Sequence, residues 1–453
     1  MPTSSIRSGR RRAVVSGVLG LLLVGIAATP AHADTVRSRQ WHLYAMKADE
    51  IWKISTGKGM TVAVIDSGVD DTLPDLKGQV LKGKNYSSMV GDENNDIADH
   101  GTGIATLIAG TGGRGATTGS FGLAPGAKIL PIRMPYADEK FGPGDPRKEY
   151  AQKMSEAIRY AADSPAQIIN ISMGQRESGS DKLTQAVKYA LDKNKLIFAA
   201  VGNTADEGNA PEYPAATPGV VGVGGVDKTL NWWNKSQTGT QVDFVAPAVK
   251  TLAACSPTLL CDGDGTSNAT ALASASAALV WSKHRDWTNN QILKVLLNTA
   301  GGAANGAKRT DFIGYGGVRP RVALKTPGDP GPADEYPLPD LAAAAPKSPS
   351  PQPSKAAAGG VGSDKRQPDA AASASKDGSN TGLWIALGIG AAVLIGAAVA
   401  VPLIRSRRRA AAALAQASTP PYQQQPSHPA YGPPQTGPSQ SPPYPDPPGP
   451  GQL

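Results

Sequence analysis

Four short stretches set chemically capable residues at the ends of apolar runs. Asp264-Gly265-Thr266-Ser267-Asn268-Ala269-Thr270 opens a run of small residues, Ala269 to Val280, that reads as a buried helix. A serine at a helix N-terminus meets unpaired backbone N–H groups and the positive end of the dipole. An anion forming there would be stabilised. Alone, a Gly-Thr-Ser turn is ordinarily an N-cap serine on a core helix. Thr61-Val62-Ala63-Val64-Ile65-Asp66-Ser67-Gly68-Val69 runs without alternation, as a buried parallel strand does, and its apolar part ends in a carboxylate. Ligands of open α/β sheets sit at that C-terminal strand edge. Asp99-His100-Gly101-Thr102-Gly103 leads a histidine into a second small-residue helix. Phe198-Ala199-Ala200-Val201-Gly202-Asn203 is a strand ending in a Gly-Asn turn. Singly, these are a turn aspartate, a satisfied histidine and a turn asparagine.

In the order Asp, His, Asn, Ser, the four stretches resemble the subtilisin-like serine proteases, family S8. The matching pieces are VAVIDSGVD, HGTGIATLIAG, NISMG, AAVGN, EYPAA, DFVAP and DGTSNATALASASAALV, within residues 37 to 325. The layout of the whole chain resembles the mycosins, membrane-anchored subtilisin-like proteases of actinobacterial type VII secretion. The resemblance implies a doubly wound α/β fold with a mostly parallel sheet and helices on both faces. It also implies a serine endopeptidase that hydrolyses peptide bonds through an acyl-enzyme.

The chemistry assigns roles. A serine hydroxyl is a weak nucleophile at neutral pH and needs a base, which needs an orienting partner. There are five histidines. His32 lies in the N-terminal leader, His428 in the C-terminal tail, and His42 and His284 in no motif. His100 is the candidate base for Ser267. Asp66 would accept from its other ring nitrogen, hold the tautomer and stabilise the imidazolium. Asp99 is adjacent, but a sequence neighbour usually points elsewhere. Asn203 would donate its amide to the oxyanion beside the Ser267 backbone N–H.

By resemblance, an extended polypeptide substrate would add to strand edges, with Ser172, Met173 and Gly174 on one wall and Ala200, Val201 and Gly202 on the other. Glu212 matches the base of the primary specificity pocket. It implies a preference for a basic or polar side chain, unless it turns to solvent. The family's proline four residues after the serine is replaced by Ala271, which favours helix and relieves crowding at the nucleophile. No calcium loop is evident in Gly112–Gly122, so neither a metal nor a cofactor is expected.

The flanking segments are read as targeting signals. Residues 1–33 resemble a secretory signal peptide: an Arg-rich start, an apolar stretch from Ala13 to Ala28, and the small-x-small site Ala31-His32-Ala33. An uncleaved anchor is the alternative. A lead-in with Trp41 and Trp52 precedes the first strand, and the long folding pro-region of secreted subtilisins is not expected. A single peptidase domain is assigned to 34–326, a Pro/Ala/Ser-rich linker to 327–382, a transmembrane helix to 383–404 and a disordered Pro-rich cytoplasmic tail to 405–453. The uncharged run from Leu383 to Ile404 is long enough for a ~30 Å hydrocarbon core. Arg405, Arg407, Arg408 and Arg409 follow it, so the positive-inside rule puts the C-terminus in the cytoplasm and the catalytic domain outside.

The net charge of +8 comes from that cluster and from Arg7, Arg10, Arg11 and Arg12; residues 34–404 are near neutral, and no nucleic-acid partner is expected. Cys255 and Cys261 would form a disulfide in an exported protein, worth roughly 2 kcal/mol for so short a loop, and would stiffen the approach to Ser267. The expected partners are a polypeptide substrate, the bilayer through one helix and, as the mycosin resemblance implies, a type VII secretion membrane complex. The competing reading is a structural component of such a complex with dispensable protease activity.

Within the domain, strands are expected at Ile129–Arg133, Ile168–Ser172, Leu196–Val201, Val220–Val226 and Gln241–Val245, and helices at Met154–Ala162, Lys182–Lys193 and Trp287–Leu297. The stretch 136–150 is expected to be an irregular loop. Residue sets alternating strand and helix imply a parallel sheet with right-handed crossovers.

Overall fold

The computed structural model describes residues 34–136 and 139–344. Its centre is a seven-stranded sheet in the order β2-β3-β1-β4-β6-β8-β9, and every neighbouring pair in it is parallel. The strands are β1 (Thr61–Asp66), β2 (Lys84–Asn85), β3 (Lys128–Arg133), β4 (Ile168–Ile171), β6 (Leu196–Ala200), β8 (Val221–Val226) and β9 (Phe244–Pro247). Two small antiparallel ladders join β5 (Gln175–Arg176) to β7 (Glu212–Tyr213), and β10 (Thr251–Ala254) to β11 (Leu260–Gly263).

The unbroken apolar run of β1 follows from burial on both faces. Val62 and Val64 enter one core with Ile104 and Leu272; Ala63 and Ile65 enter the other with Ile158 and Val187. The first face is covered by α4 (His100–Ala109), α7 (Thr266–Lys283) and α8 (Asn289–Asn298). The second carries α5 (Pro146–Asp163) and α6 (Asp181–Asp192). From β1 the chain passes to β3 on one side and then crosses to β4 on the other. That reversal opens a crevice at the C-terminal ends of β1 and β4, where ligands of such sheets bind.

Three short helices, α1 (Val36–Arg39), α2 (Trp41–Ala45) and α3 (Ala48–Ile51), form the lead-in. It is tied down by side-chain donors. Trp41 Nε1 reaches the carbonyls of Val249 and Lys250, Trp52 Nε1 that of Leu123, and Gln40 Nε2 those of Phe121 and Leu252.

Several boundaries differ from expectation. Helix α5 starts at Pro146 rather than Met154, so the irregular loop is shorter than 136–150. Asp145 caps it by accepting from Arg147 N, and Pro146 occupies the first turn where its missing N–H costs nothing. The charged first two turns hide that start. Strand β9 begins at Phe244, not Gln241. Helix α7 begins at Thr266 and runs on to Lys283.

The linker does not begin at 327. Leu338 is buried, Tyr336 packs against the core, and the carbonyls of Gly331 and Ala333 accept from Gln291, Thr288 and Asn290. After α9 (Pro320–Lys325), a short α10 (Asp340–Ala344) is held where Asp340 accepts from Gly219 N. Two apolar anchors suffice to dock a segment whose average composition reads as linker.

Among the described residues, no helix is long and apolar enough to cross a membrane. The expected leader (1–33), span (383–404) and tail (405–453) lie outside the described residues.

Candidate active site

Each expected catalytic residue stands at the end of an element. Asp66 is the last residue of β1 and is fully buried. Its Oδ1 lies 2.7 Å from His100 Nδ1 and accepts from Ser67 N at 2.8 Å. His100 is the first residue of α4, with 27 % of its side chain exposed. With Nδ1 engaged, Nε2 is left for the cavity that His100 lines. Helix and strand meet closely here. A Cβ on Gly101 would stand 2.1 Å from Gly68 O and 3.1 Å from Asp66 Cβ, so glycine is required for the histidine to reach the carboxylate.

Burial alone would lower the His100 pKa. The charge of Asp66, its hydrogen bond, and the charge of Asp96 more than offset this, and the net shift is upward from the ordinary value of 6.5. The Tyr136 ring stacks on His100, with centroids 5.2 Å apart and planes 28° from parallel. Burial, then the charges of Asp66 and Asp96, hold the Tyr136 hydroxyl protonated well above the usual phenol range.

Ser267 is the second residue of α7 and 8 % exposed. Its backbone N–H, in the first helical turn, has no intrahelical acceptor. Its hydroxyl donates to Ser172 O at 3.0 Å rather than to His100. The Ser172 hydroxyl returns a bond to Ser267 O at 3.1 Å, and behind it Asn170 Nδ2 donates to Ser172 Oγ while Ser274 Oγ donates to Asn170 Oδ1. This buried chain joins β4 to α7. Sequence reading missed Asn170 and Ser274; the available signal was an amide inside an otherwise apolar strand.

Asn203 follows β6. Its Oδ1 accepts from Thr266 N at 2.8 Å and Thr266 Oγ1 at 2.9 Å, which fixes the amide orientation and leaves Nδ2 as the free donor. A Cβ on Gly265 would lie 3.6 Å from that Nδ2, so the donor faces the turn that carries Ser267. The same point lies 3.7 Å from Ser267 N, so two N–H groups, from Asn203 and Ser267, border one spot beside Gly265, the pairing of donors that an oxyanion requires.

Ser172, Met173, Gly174, Ala200, Gly202 and Glu212 line the same cavity of about 570 Å³ as His100, Asn203 and Ser267. Glu212 is not turned freely to solvent. Its Oε1 accepts from Gln237 Nε2 at 3.2 Å and Thr204 Oγ1 at 3.4 Å, and it faces Arg176 across the β5–β7 ladder. Burial raises its pKa against the opposing pull of Arg176 and the Thr204 bond.

Ala271 is fully buried within the unbroken helix α7, so it supplies a backbone N–H that proline would lack. Cys255 and Cys261 are joined in a disulfide across the β10–β11 hairpin, with Cα atoms 5.7 Å apart. The hairpin ends two residues before Gly265, and Lys250 N donates to Asp264 Oδ1, so the turn is held from both sides. His42 is enclosed in the core. Burial first, and the Arg37 charge second, hold its pKa down to about 3, so it stays neutral. His284 stacks on Trp287, away from the cavity. Among the described residues, no group of three or more His, Cys, Asp or Glu is placed to hold a metal ion.

Residues 57–316 match the model of the subtilase family, peptidase S8. A thermophilic serine proteinase of Bacillus sp. (strain AK1) is 35 % identical over 254 residues, 56 % of this chain and 59 % of its own length. The chain thus spans less than two thirds of that relative. Among solved structures, the MycP3 protease from the type VII (ESX-3) secretion system is 30 % identical with a TM-score of 0.57, over 66 % of this chain and 90 % of that one. A chain of an intact ESX-5 inner membrane complex is 27 % identical with a TM-score of 0.55, over 81 % and 90 %. On the family match, which takes in Asp66, His100, Asn203 and Ser267, this chain belongs to the subtilase family.

Proposed function

We propose that this protein is a serine endopeptidase anchored in the cell membrane by residues 383–404, its catalytic domain outside and its C-terminus in the cytoplasm. The observation that carries the enzymatic reading is the 2.7 Å contact between Asp66 and His100 in the cavity that holds Ser267 at a helix N-terminus. Rotation of Ser267 χ1 away from Ser172 O would present its hydroxyl to His100 Nε2. The Oγ then attacks the scissile carbonyl carbon as His100 takes the proton. Asn203 Nδ2 and Ser267 N–H hold the oxyanion. The C–N bond breaks as His100 returns the proton to the leaving amine, and water releases the acyl group by the reverse sequence. The anchoring is supported by the Arg-flanked apolar run, and the similarity to a chain of the ESX-5 inner membrane complex supports action on exported proteins beside a secretion machine.

The test is a fluorophosphonate probe on the full chain, with the adduct mapped by mass spectrometry. Modification at Ser267 is expected. A folded sample left unlabelled would sink the protease reading. Asn203→Ala is expected to lower kcat by about 10²–10³ with KM little changed, the range established for such a donor in subtilisin itself, a member of the same family. Steady-state hydrolysis of a small peptide amide measures it.

One observation favours a second reading, a structural member of a secretion complex. The Ser267 hydroxyl rests on Ser172 O instead of on His100. Complementation by wild type and by Ser267→Ala separates the two: equal rescue means proteolysis is dispensable.

A further inference from the structure

We propose that Asp96 is a second carboxylate of this site, a positioning residue that fixes His100 and adds its charge to that of Asp66. Helix α4 begins with an unusual cap. Asp99 occupies the N-cap with a left-handed φ of 57° and makes no side-chain bond there. Asp96 does the capping from three residues further back. Its Oδ2 accepts from Thr102 N at 2.7 Å and Thr102 Oγ1 at 2.6 Å. Its Oδ1 accepts from Ser67 Oγ at 2.8 Å and Ala98 N at 3.2 Å.

The arrangement of these bonds favours the ionised carboxylate. Ser67 Oγ accepts from Gly101 N at 3.0 Å, and Thr102 Oγ1 accepts from Asp70 N at 2.9 Å. Amide protons thus occupy one lone pair of each hydroxyl; the Thr102 proton goes to Asp96, and the Ser67 proton has Asp96 Oδ1 at 2.8 Å as its nearer acceptor and Asp66 Oδ1 at 3.3 Å as its farther one. Burial first, and the Asp66 charge last, push the Asp96 pKa above the ordinary carboxylate value, while the bonds from Thr102 and Ser67 oppose that shift; four donors aimed at one group stabilise its ionised form. Ser67 is also the residue after Asp66 and lies 3.3 Å from its Oδ1 through Oγ. One hydroxyl thus touches both carboxylates and the backbone beside the base. The end of β1 and the start of α4, which must meet for Asp66 to hold His100, are joined through Asp96.

The titratable groups facing His100 are Asp66 from β1, Asp96 from the loop before α4, and Tyr136 from the segment after β3. Tyr136 keeps its proton, so the two aspartates supply the negative charge that favours the imidazolium during proton transfer.

The test compares Asp96→Asn and Asp96→Glu in the full chain. The His100 pKa is read by NMR of ¹⁵N-labelled histidine, and the pH dependence of fluorophosphonate labelling is read alongside. Asp96→Asn removes the charge and sets an amide N–H against a donor. It is expected to lower the His100 pKa by roughly half a unit and to slow labelling about tenfold at neutral pH. Asp96→Glu keeps the charge but displaces it, so the pKa is expected to hold while labelling slows. An unchanged His100 pKa in folded Asp96→Asn overturns the proposal. Should that variant not fold, Asp96→Glu labelling at the wild-type rate overturns it. The rate arm rests on the protease reading, and the NMR arm does not. A lowered His100 pKa in Asp96→Asn, with a wild type that never labels, would leave this inference standing and remove the other.

Discussion

Replacing His100 with alanine is expected to lower kcat by about 10⁶, the loss established for the equivalent change in subtilisin itself. The structure explains why no neighbour substitutes. Asp66 is anchored in β1 with its Oδ1 already bonded to Ser67 N, and Tyr136 is held protonated. Among the described residues, His42 and His284 are both remote from the cavity. With the base gone, Ser267 keeps its bond to Ser172 O and has no acceptor that can carry its proton away. The fold should survive, because His100 sits at a partly open helix start and contributes no core packing. Steady-state hydrolysis beside a melting curve checks both statements. Activity within tenfold of wild type in a folded His100→Ala protein would mean that another group serves as the base.

Asp66→Asn is expected to cost about 10⁴ in kcat. The amide is nearly isosteric, so geometry is kept, but an N–H turned toward Nδ1 forces the ring proton onto Nε2. The base is then protonated where it must accept. The pH profile should move as well. In the wild type the net upward shift at His100 keeps the imidazole protonated to a pH above 6.5, so the acid limb of kcat/KM should lie above that value. Removing Asp66 takes away the strongest of the opposing influences that outweigh burial, and the limb should move down. Stability follows the same sign. A histidine whose folded pKa is raised contributes fully below its unfolded pKa near 6.5, and that contribution fades as pH rises through the folded value. An Asp66→Asn limb at the wild-type position would sink this account. The two substitutions are in contact through one bond, so their effects should not add.

The candidate catalytic residues are legible because each stands at or beside the end of an element with a strong pattern. β1 is apolar from Val62 to Ile65, which marks burial on both faces and places the carboxylate at the ligand edge of the sheet. Small residues after His100 and Ser267 marked helices that run close to the sheet. The supports behind them were not legible. Asp96 is one acid among several in a polar loop, and nothing local distinguishes it from Asp92 or Asp99. Asn170 and Ser274 pair across 104 positions, a distance that no periodicity spans. The start of α5 was hidden because its first turns face solvent, and the 331–344 segment because docking by Tyr336 and Leu338 needs few residues. The polar partners of a site are chosen by three-dimensional proximity, while the apolar pattern that locates the site is written along the chain.

From Thr266 to Ala278 helix α7 carries alanine, serine and threonine at every position but Asn268 and Leu272, and all of it is buried except the partly buried Asn268. Such a surface is nearly smooth. With Leu272 as the one large knob of this stretch, dispersion and burial discriminate weakly between settings of the helix against the sheet. The buried polar contacts supply what packing lacks. Ser274 with Asn170, and Ser172 with the carbonyl of Ser267, are satisfied together at one setting of the helix and broken at every other, each at the cost of a stranded buried polar atom. They act as a detent on a shaft with few features of its own along this stretch, and the setting they select is the one that delivers Ser267 to the crevice at the end of β4.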